Sequence, residues 1–281
     1  MKLLICGSLL LLIQISLYST VFERKAEIDR QVRIDFVLPS SFSRIAALDF
    51  KGLAADFQFL QAVFFMGEKI GKDEEITPAD WNHFKRVIWA VIELDPYFAD
   101  AYYFSAAFLT WGPQLYDDAL AILERGLKYR KDDFRIPYLM GFIHFYFLKD
   151  NLNGAKYLKI AADRPGAPKV IYSKLASRLA YYAGDHKFSL MILESILLNE
   201  NNDAIRKLLS KRIKAVKGAI YLEDEVKHYS KEYGKLPKDI NQLVEGGIIS
   251  KFPEEPYGGK WILLEQGRIT TTSRFVEKKK K

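Results

Sequence analysis

Side chains able to do chemistry are few and scattered. The four histidines, His83, His144, His186 and His228, stand one to a segment, without a second ligand at the short spacing that zinc sites use. His144 lies among Phe142, Phe145 and Tyr146 and reads as a packed structural histidine. The single cysteine, Cys6, sits in an apolar N-terminal stretch, so no intrachain disulfide can form. It also comes too early, with too little apolar chain before it, for lipoprotein attachment. Glu254 and Glu255 are adjacent carboxylates of the kind calcium uses, but calcium takes about six or more oxygens and too few are identifiable. The chain has no Gly-x-Ser-x-Gly elbow, phosphate loop or dinucleotide fingerprint. The expectation is therefore no catalytic residue, no cofactor and no metal. Recognition chemistry is better represented. Tyr138, Phe142 and Tyr146 recur at four-residue spacing and so share one helical face. Lys174 and Arg178 are likewise four apart and are expected to neighbour that face from the next helix. Aromatic faces beside cations suit a peptide that offers apolar side chains and a carboxylate.

The elements that must position these residues are helical. The pattern predicts a helix from Ile45 to Met66, with Leu53, Phe57, Leu60 and Phe64 at three- and four-residue spacing, stopped by Gly67 and Gly71. Thr77-Pro78-Ala79-Asp80 opens a second helix, proline early, where a missing donor costs little. Trp81, Phe84, Val87, Ile88, Val91 and Ile92 build its buried face, and Asp95-Pro96 ends it. From Leu94 to Pro168 two helix–turn–helix units of about 34–37 residues follow one another. Small residues (Ala106, Ala119, Gly126, Gly141 and Ala155) sit where paired helices must approach closely. A weaker third unit starts at Lys169, turns at Gly184-Asp185 and carries Ser189 where alanine is expected. A long helix from Ala204 to Tyr233 then presents Ile205, Leu209, Ile213, Val216 and Ile220 along one stripe. Its lysines 207, 211, 214 and 217 read as a solvated opposite face.

These units resemble the tetratricopeptide (TPR) repeat family. The resemblance implies an all-α superhelix of TPR-like helical hairpins, closed at one end by the long helix acting as a polar-faced cap. It also implies a concave groove lined by the first helix of each pair. Carried onto this chain, the groove candidates are Tyr103, Tyr138, Phe142, Tyr146, Lys174, Arg178 and Tyr181. The competing reading of the same aromatics is that they fill the core between repeats. Family members bind proteins, so the resemblance implies a protein or peptide client and no small-molecule substrate.

The two ends have other grammars. Leu3 to Phe22 is mostly apolar and, as a helix of about 20 residues, long enough to span a hydrocarbon core. Leu17 and Tyr18 fall badly for a cleavage site near Ser19, which favours an uncleaved transmembrane signal anchor over a cleaved leader. Arg24, Lys25, Arg30 and Arg33 pull against export. The short N-terminus with Lys2 favours it, and the expected location is a bacterial inner membrane with the bulk of the chain periplasmic. At the other end, a short helix from about Asp239 stops at Gly246-Gly247, and Lys260–Leu264 and Arg268–Thr272 read as a hairpin around Gln266-Gly267. Gly234, Leu236, Pro237, Leu243, Gly247, Pro253, Pro256, Tyr257 and Gly258 are similar to the C-terminal part of type II secretion major pseudopilins, with Glu255 where that family prefers aspartate. The pseudopilin processing signal is absent from the N-terminus.

The expected order is a signal anchor over 1–22, a juxtamembrane segment over 23–43, repeats over 44–202, a long capping helix over 203–235, a small α+β element over 236–275 and a basic tail over 276–281. The formal charge of +7 owes four of its positive charges to the terminal run Lys278–Lys281, and no nucleic-acid-binding motif accompanies it. The functional expectation is a non-enzymatic membrane-anchored scaffold of the bacterial envelope. The alternative is an accessory assembly factor of a pilus-like or type II secretion system.

Overall fold

A computed structural model describes Ile45, residues 47–273 and Phe275. The expected signal anchor, the juxtamembrane segment and the basic tail lie outside the described residues. Among the described residues no helix is long and apolar enough to cross a membrane. The described chain is mostly helical, with ten α-helices and a two-stranded sheet near its C-terminus, and it divides into a unit ending at Phe98 and a unit beginning at Ala99.

In the first unit α1 (Lys51–Gly71) packs on α2 (Pro78–Leu94) as a hairpin. The entry to α2 is a capping box: the Asp80 backbone N–H donates to the Thr77 hydroxyl at 3.3 Å, and the Thr77 N–H donates to the Asp80 carboxylate at 2.9 Å. The buried ammonium of Lys69, near the end of α1, donates to the same carboxylate at 3.1 Å and fastens the two helices. Burial pushes the Asp80 carboxyl up, but the hydrogen bonds from Thr77 and Lys69 outweigh it and hold the group below the usual carboxylate range.

The buried face of α2 includes Phe84, Val87, Ile88, Val91 and Ile92, with Trp81 half-buried. The regular apolar stripe of α1 is not its buried face. Leu53, Phe57, Leu60 and Phe64 are 48% to 70% exposed, and α1 buries Ala55, Ala62, Met66 and Lys69 instead. Two stripes run along this helix, and the hairpin takes the smaller one because alanines let the bulky face of α2 come close. Of the two glycines expected to stop the helix, α1 runs through Gly67 and ends at Gly71.

The second unit continues with hairpins. α3 (Ala99–Trp111) pairs with α4 (Tyr116–Tyr129). α5 (Arg135–Phe142) runs into a π-helical turn over Ile143–Phe147 and pairs with α6 (Asn151–Ala162). α7 (Lys169–Tyr182) pairs with α8 (His186–Leu198). The α5–α6 crossing is close. A β-carbon added to Gly141 would lie 2.9 Å from Leu158 Cγ, and one on Gly154 would lie 2.8 Å from Phe145 Cβ. Ser189, the departure from alanine, is buried with its hydroxyl 2.9 Å from that of Ser177, so each polar group satisfies the other across the α7–α8 contact.

The long α9 (Asp203–Tyr233) starts at Asn202, whose side chain accepts the Ile205 N–H, and stops at Gly234 in the left-handed conformation. Leu209, Ile213 and Val216 are buried, with Ile205 and Ile220 partly so. α9 packs on α8 as the expected cap would, but its other side is covered by the C-terminal segment. That segment carries a short α10 (Gln242–Glu245) and a hairpin of β1 (Trp261–Leu263) and β2 (Ile269–Thr271), with Trp261 opposite Thr271 and Leu263 opposite Ile269.

The seat for the C-terminal segment is Gly218. A β-carbon there would stand 2.8 Å from the Trp261 ring, so the absence of a side chain opens the notch the indole fills. Trp261 Nε1 donates to the Pro253 carbonyl at 2.8 Å, and the Ile269 N–H donates to Glu223 of α9 at 3.1 Å. One hydrophobic core runs from Ala155 and Leu158 of α6 through α7, α8 and α9 to Tyr257, Trp261, Ile269 and Phe275. Of the expected helical cap with a small appendage, the structure retains the order of elements; the appendage shares the repeats' core.

Two outcomes follow. Asp80→Asn should cost about 1–2 kcal/mol near pH 7 in urea unfolding followed by far-ultraviolet circular dichroism. Because the folded-state pKa of Asp80 is depressed, that contribution is present above the unfolded value of about 3.9, and wild type and variant should converge as the pH falls through the folded value below it. Trp261→Ala should cost roughly 3–5 kcal/mol and broaden or lower the unfolding of α7 to α9 together with the hairpin, readable by hydrogen exchange.

Candidate functional site

The feature that stands out on the second unit is a run of aromatic rings in mutual contact. It begins at Tyr172 of α7, whose ring stacks on Tyr138 of α5 at 4.9 Å and 14°. Tyr138 lies 6.4 Å from Phe142, and Phe142 stacks on Tyr146 at 5.0 Å and 12°. Trp111, at the end of α3, lies 5.9 Å from Tyr146 and meets Phe147 edge-on at 5.0 Å, and Phe147 stacks on Tyr116 at 5.1 Å. Three successive hairpins thus contribute to one ladder. Its members are half-buried, except for Trp111 at 64% exposed and Tyr146 at 44%. Rings held at such separations in offset or edge-on geometry stabilise one another while keeping a face or edge available.

Backbone geometry sets the position of the lower rungs. The π-helical turn widens the end of α5 and brings Tyr146 and Phe147 onto adjacent sides of Phe142, 5.0 and 5.9 Å away. Such turns recur where a helix has been adapted to a site. Lys149 ends it in the left-handed region at φ 58°, the position where glycine is commonest. In that conformation the Lys149 ammonium donates to the Tyr146 carbonyl at 2.6 Å and stands 5.3 Å from the centre of the Tyr146 ring. Asp150 then caps α6 by accepting the Asn153 N–H at 3.0 Å, with His144 Nδ1 at 3.4 Å. Burial pushes the Asp150 carboxyl up, but Asn153 and His144 outweigh it and hold it below the usual range. His144 itself stacks on Tyr157 at 5.4 Å.

Of the seven sequence-predicted residues, the structure brings three together: Tyr138, Phe142 and Tyr146. Tyr103 belongs to a different assembly. Its hydroxyl donates to the Asp133 carboxylate, which also takes Arg130 Nε at 3.0 Å and Arg135 Nε at 3.3 Å. Arg164 closes the group by donating to the Arg130 and Asp133 carbonyls at 3.1 and 2.6 Å. This network ties α3 and the α4–α5 turn to the turn that follows α6. Burial and the Asp133 carboxylate push the Tyr103 hydroxyl up to about 12. Burial raises Asp133 as well, but Tyr103 and the arginines outweigh it and hold it low.

Lys174 and Arg178 do not neighbour the ladder. At 100° per residue they lie roughly 120–160° round α7 from Tyr172, and Arg178 rests 5.4 Å over Tyr182 on its own helix. Tyr181 is buried, its ring 4.4 Å from both His186 and Phe275 beneath the C-terminal segment, which withdraws it from any groove.

Sequence reasoning missed Trp111, Tyr116, Phe147, Tyr172 and Lys149. Four of these lie in or next to turns, which the repeat pattern treats as connectors. Trp111 directly before Gly112-Pro113, a bulky ring where a turn residue is usual, was the readable signal.

A cleft of about 650 Å³ opens in the C-terminal segment, where Lys238, Asp239, Asn241 and Lys260 face Phe252 and Ile262. Its lining offers no hydroxyl, thiol or imidazole side chain. Glu254 pairs with Lys214, and Glu255 accepts the Gly259 N–H and the Ser273 hydroxyl, closing the turn between them. Among the described residues no three His, Cys, Asp or Glu side chains gather as a metal site. No family model matches the chain, and no curated protein or solved structure matches it.

The conformation of Lys149 gives a direct test of how the ladder is held. Lys149→Gly removes the steric cost of the left-handed region and should leave the protein as stable as wild type or more stable by up to about 1 kcal/mol in thermal unfolding. Lys149→Val, branched at the β-carbon, should destabilise by a comparable amount.

Proposed function

We propose that this chain is a non-enzymatic, tetratricopeptide-like scaffold that binds a protein partner along the aromatic ladder, and that residues 3–22 anchor it in a bacterial membrane with the repeats in the periplasm. The observation that carries this reading is the continuity of the ladder across three hairpins, with the Trp111 and Tyr146 rings exposed and Lys149 beside them. Exposed large rings on a rigid scaffold lose little entropy on contact, which is why tryptophan and tyrosine dominate interface energetics. A partner segment with apolar side chains packs on the rings, and a carboxylate on it meets Lys149. The cation of this site is therefore Lys149, in place of the expected Lys174 and Arg178. Burial of the C-terminal segment in the core of α6–α9 favours this scaffold reading over a detachable pilus-type or secretion-type assembly element.

A photo-crosslinking residue placed at Tyr146 in living cells should give one dominant adduct, and the same residue at the comparably exposed Tyr221 of α9 should not. Trp111→Ala and Lys149→Gly should each lower that adduct about tenfold or more, the loss expected of one interface hot spot, with thermal stability changed by no more than about 1 kcal/mol. Equal capture at Tyr221, or loss of capture only in variants that also unfold, would remove the ladder from consideration as a binding site.

A further inference from the structure

The outward stripe of α1 is continuous and regular. Phe50 at the N-cap, then Leu53, Phe57, Leu60, Phe64, Gly67 and Gly71, alternate three- and four-residue steps, the heptad spacing of a coiled-coil seam. All seven are exposed. The two glycines are not demanded by the hairpin: a β-carbon on Gly67 or on Gly71 would meet nothing within 4 Å, and neither has a positive φ. Glycine within a helix costs about 0.5–1 kcal/mol against alanine. Their place on this seam is therefore unexplained by α1 and α2 themselves.

We infer that α1 pairs antiparallel with α1 of a second copy about a twofold axis near Leu60. That register sets Leu60 against Leu60 and Phe57 against Phe64, and it sets Phe50 and Leu53 against Gly71 and Gly67. The bulky half of each seam meets the bare half of the other, which accounts for the glycines. The flanking charges match in the same register: Asp49 comes opposite Lys72, and Lys51 comes beside Glu68. A parallel pairing would stack Asp49 on Asp49 and Lys72 on Lys72, and it would leave the glycines facing each other across a gap. A helix of 21 residues gives a contact about 31 Å long, three heptads, enough for a moderate, concentration-dependent dimer.

The test uses the full chain in mild detergent. In a Cys6→Ser background, Leu60→Cys should yield covalent dimers under mild oxidation. Leu53→Cys alone should not, whereas Leu53→Cys with Gly67→Cys should. Gly67→Leu with Gly71→Leu should keep the helical spectrum, since the space is open, and weaken self-association about tenfold or more in sedimentation equilibrium. Self-linking at Leu53 would show a parallel pair and overturn the register. With Cys6 retained, an intrachain link from Leu60→Cys to Cys6 would show that the chain's own N-terminal segment covers the seam. Quenching of a fluorophore at Leu60→Cys by brominated lipids in anionic vesicles, without dimer links, would assign the face to lipid. Either result, or a dimer indifferent to the leucine pair, overturns the proposal.

Discussion

Close approach of paired helices through small side chains governs this protein. Ala55 and Ala62 in the first hairpin, Gly141 and Gly154 in the α5–α6 pair, and Ser177 and Ser189 in the α7–α8 pair all occupy contacts where a larger residue would hold the helices apart. The volume that such contacts exclude must go elsewhere. Large rings and branched chains are displaced to the flanks, where they meet the neighbouring hairpin or face outward. The aromatic ladder and the bare seam of α1 are two products of the same packing rule. A core built this way resists single enlargements strongly, because backbone as well as side chains would have to move.

That rule also explains what could be read from the sequence. The order of helices, the turns at Asp95-Pro96 and Gly184-Asp185, and the terminal hairpin were legible, because they depend on local periodicity and on turn residues. The hairpin strands fell within one residue of the expected span. Which face of α1 is buried was not legible, since its regular apolar stripe turns out to be the exposed one. With two apolar stripes on one helix, periodicity supplies the angle between them but not which of them a partner takes. Tyr138, Phe142 and Tyr146 were legible as a set because four-residue spacing survives the π-helical turn. Lys174 and Arg178 were misplaced because spacing within a helix says nothing of its rotation about its own axis against the next one.

The network around Asp133 divides labour with the ladder. Asp133 draws Tyr103, Arg130 and Arg135 inward, and Arg164 stitches the same junction from the following hairpin. Arg130, Asp133 and Arg164 find their partners inside the scaffold and fix the angle between hairpins, while the Arg135 side chain remains largely exposed. The recognition proposed above rests on a surface that is mainly apolar, with Lys149 at its margin. Binding of the proposed kind depends weakly on salt and strongly on shape.

The seat of Trp261 against Gly218 bears on how this protein can change in length. A helical array ordinarily grows by duplication at an open end, because every hairpin presents the same kind of face to the next. Here the far face of α9 is already occupied by an indole that fits a position without a side chain, and Phe275 reaches past it to Tyr181 two helices back. A hairpin copied after α9 would find no vacant face. Lengthening by evolution or by design has to enter earlier in the array, before α7, where the contact between Tyr181 and Phe275 is kept. The C-terminal segment thus acts as a stop codon written in packing.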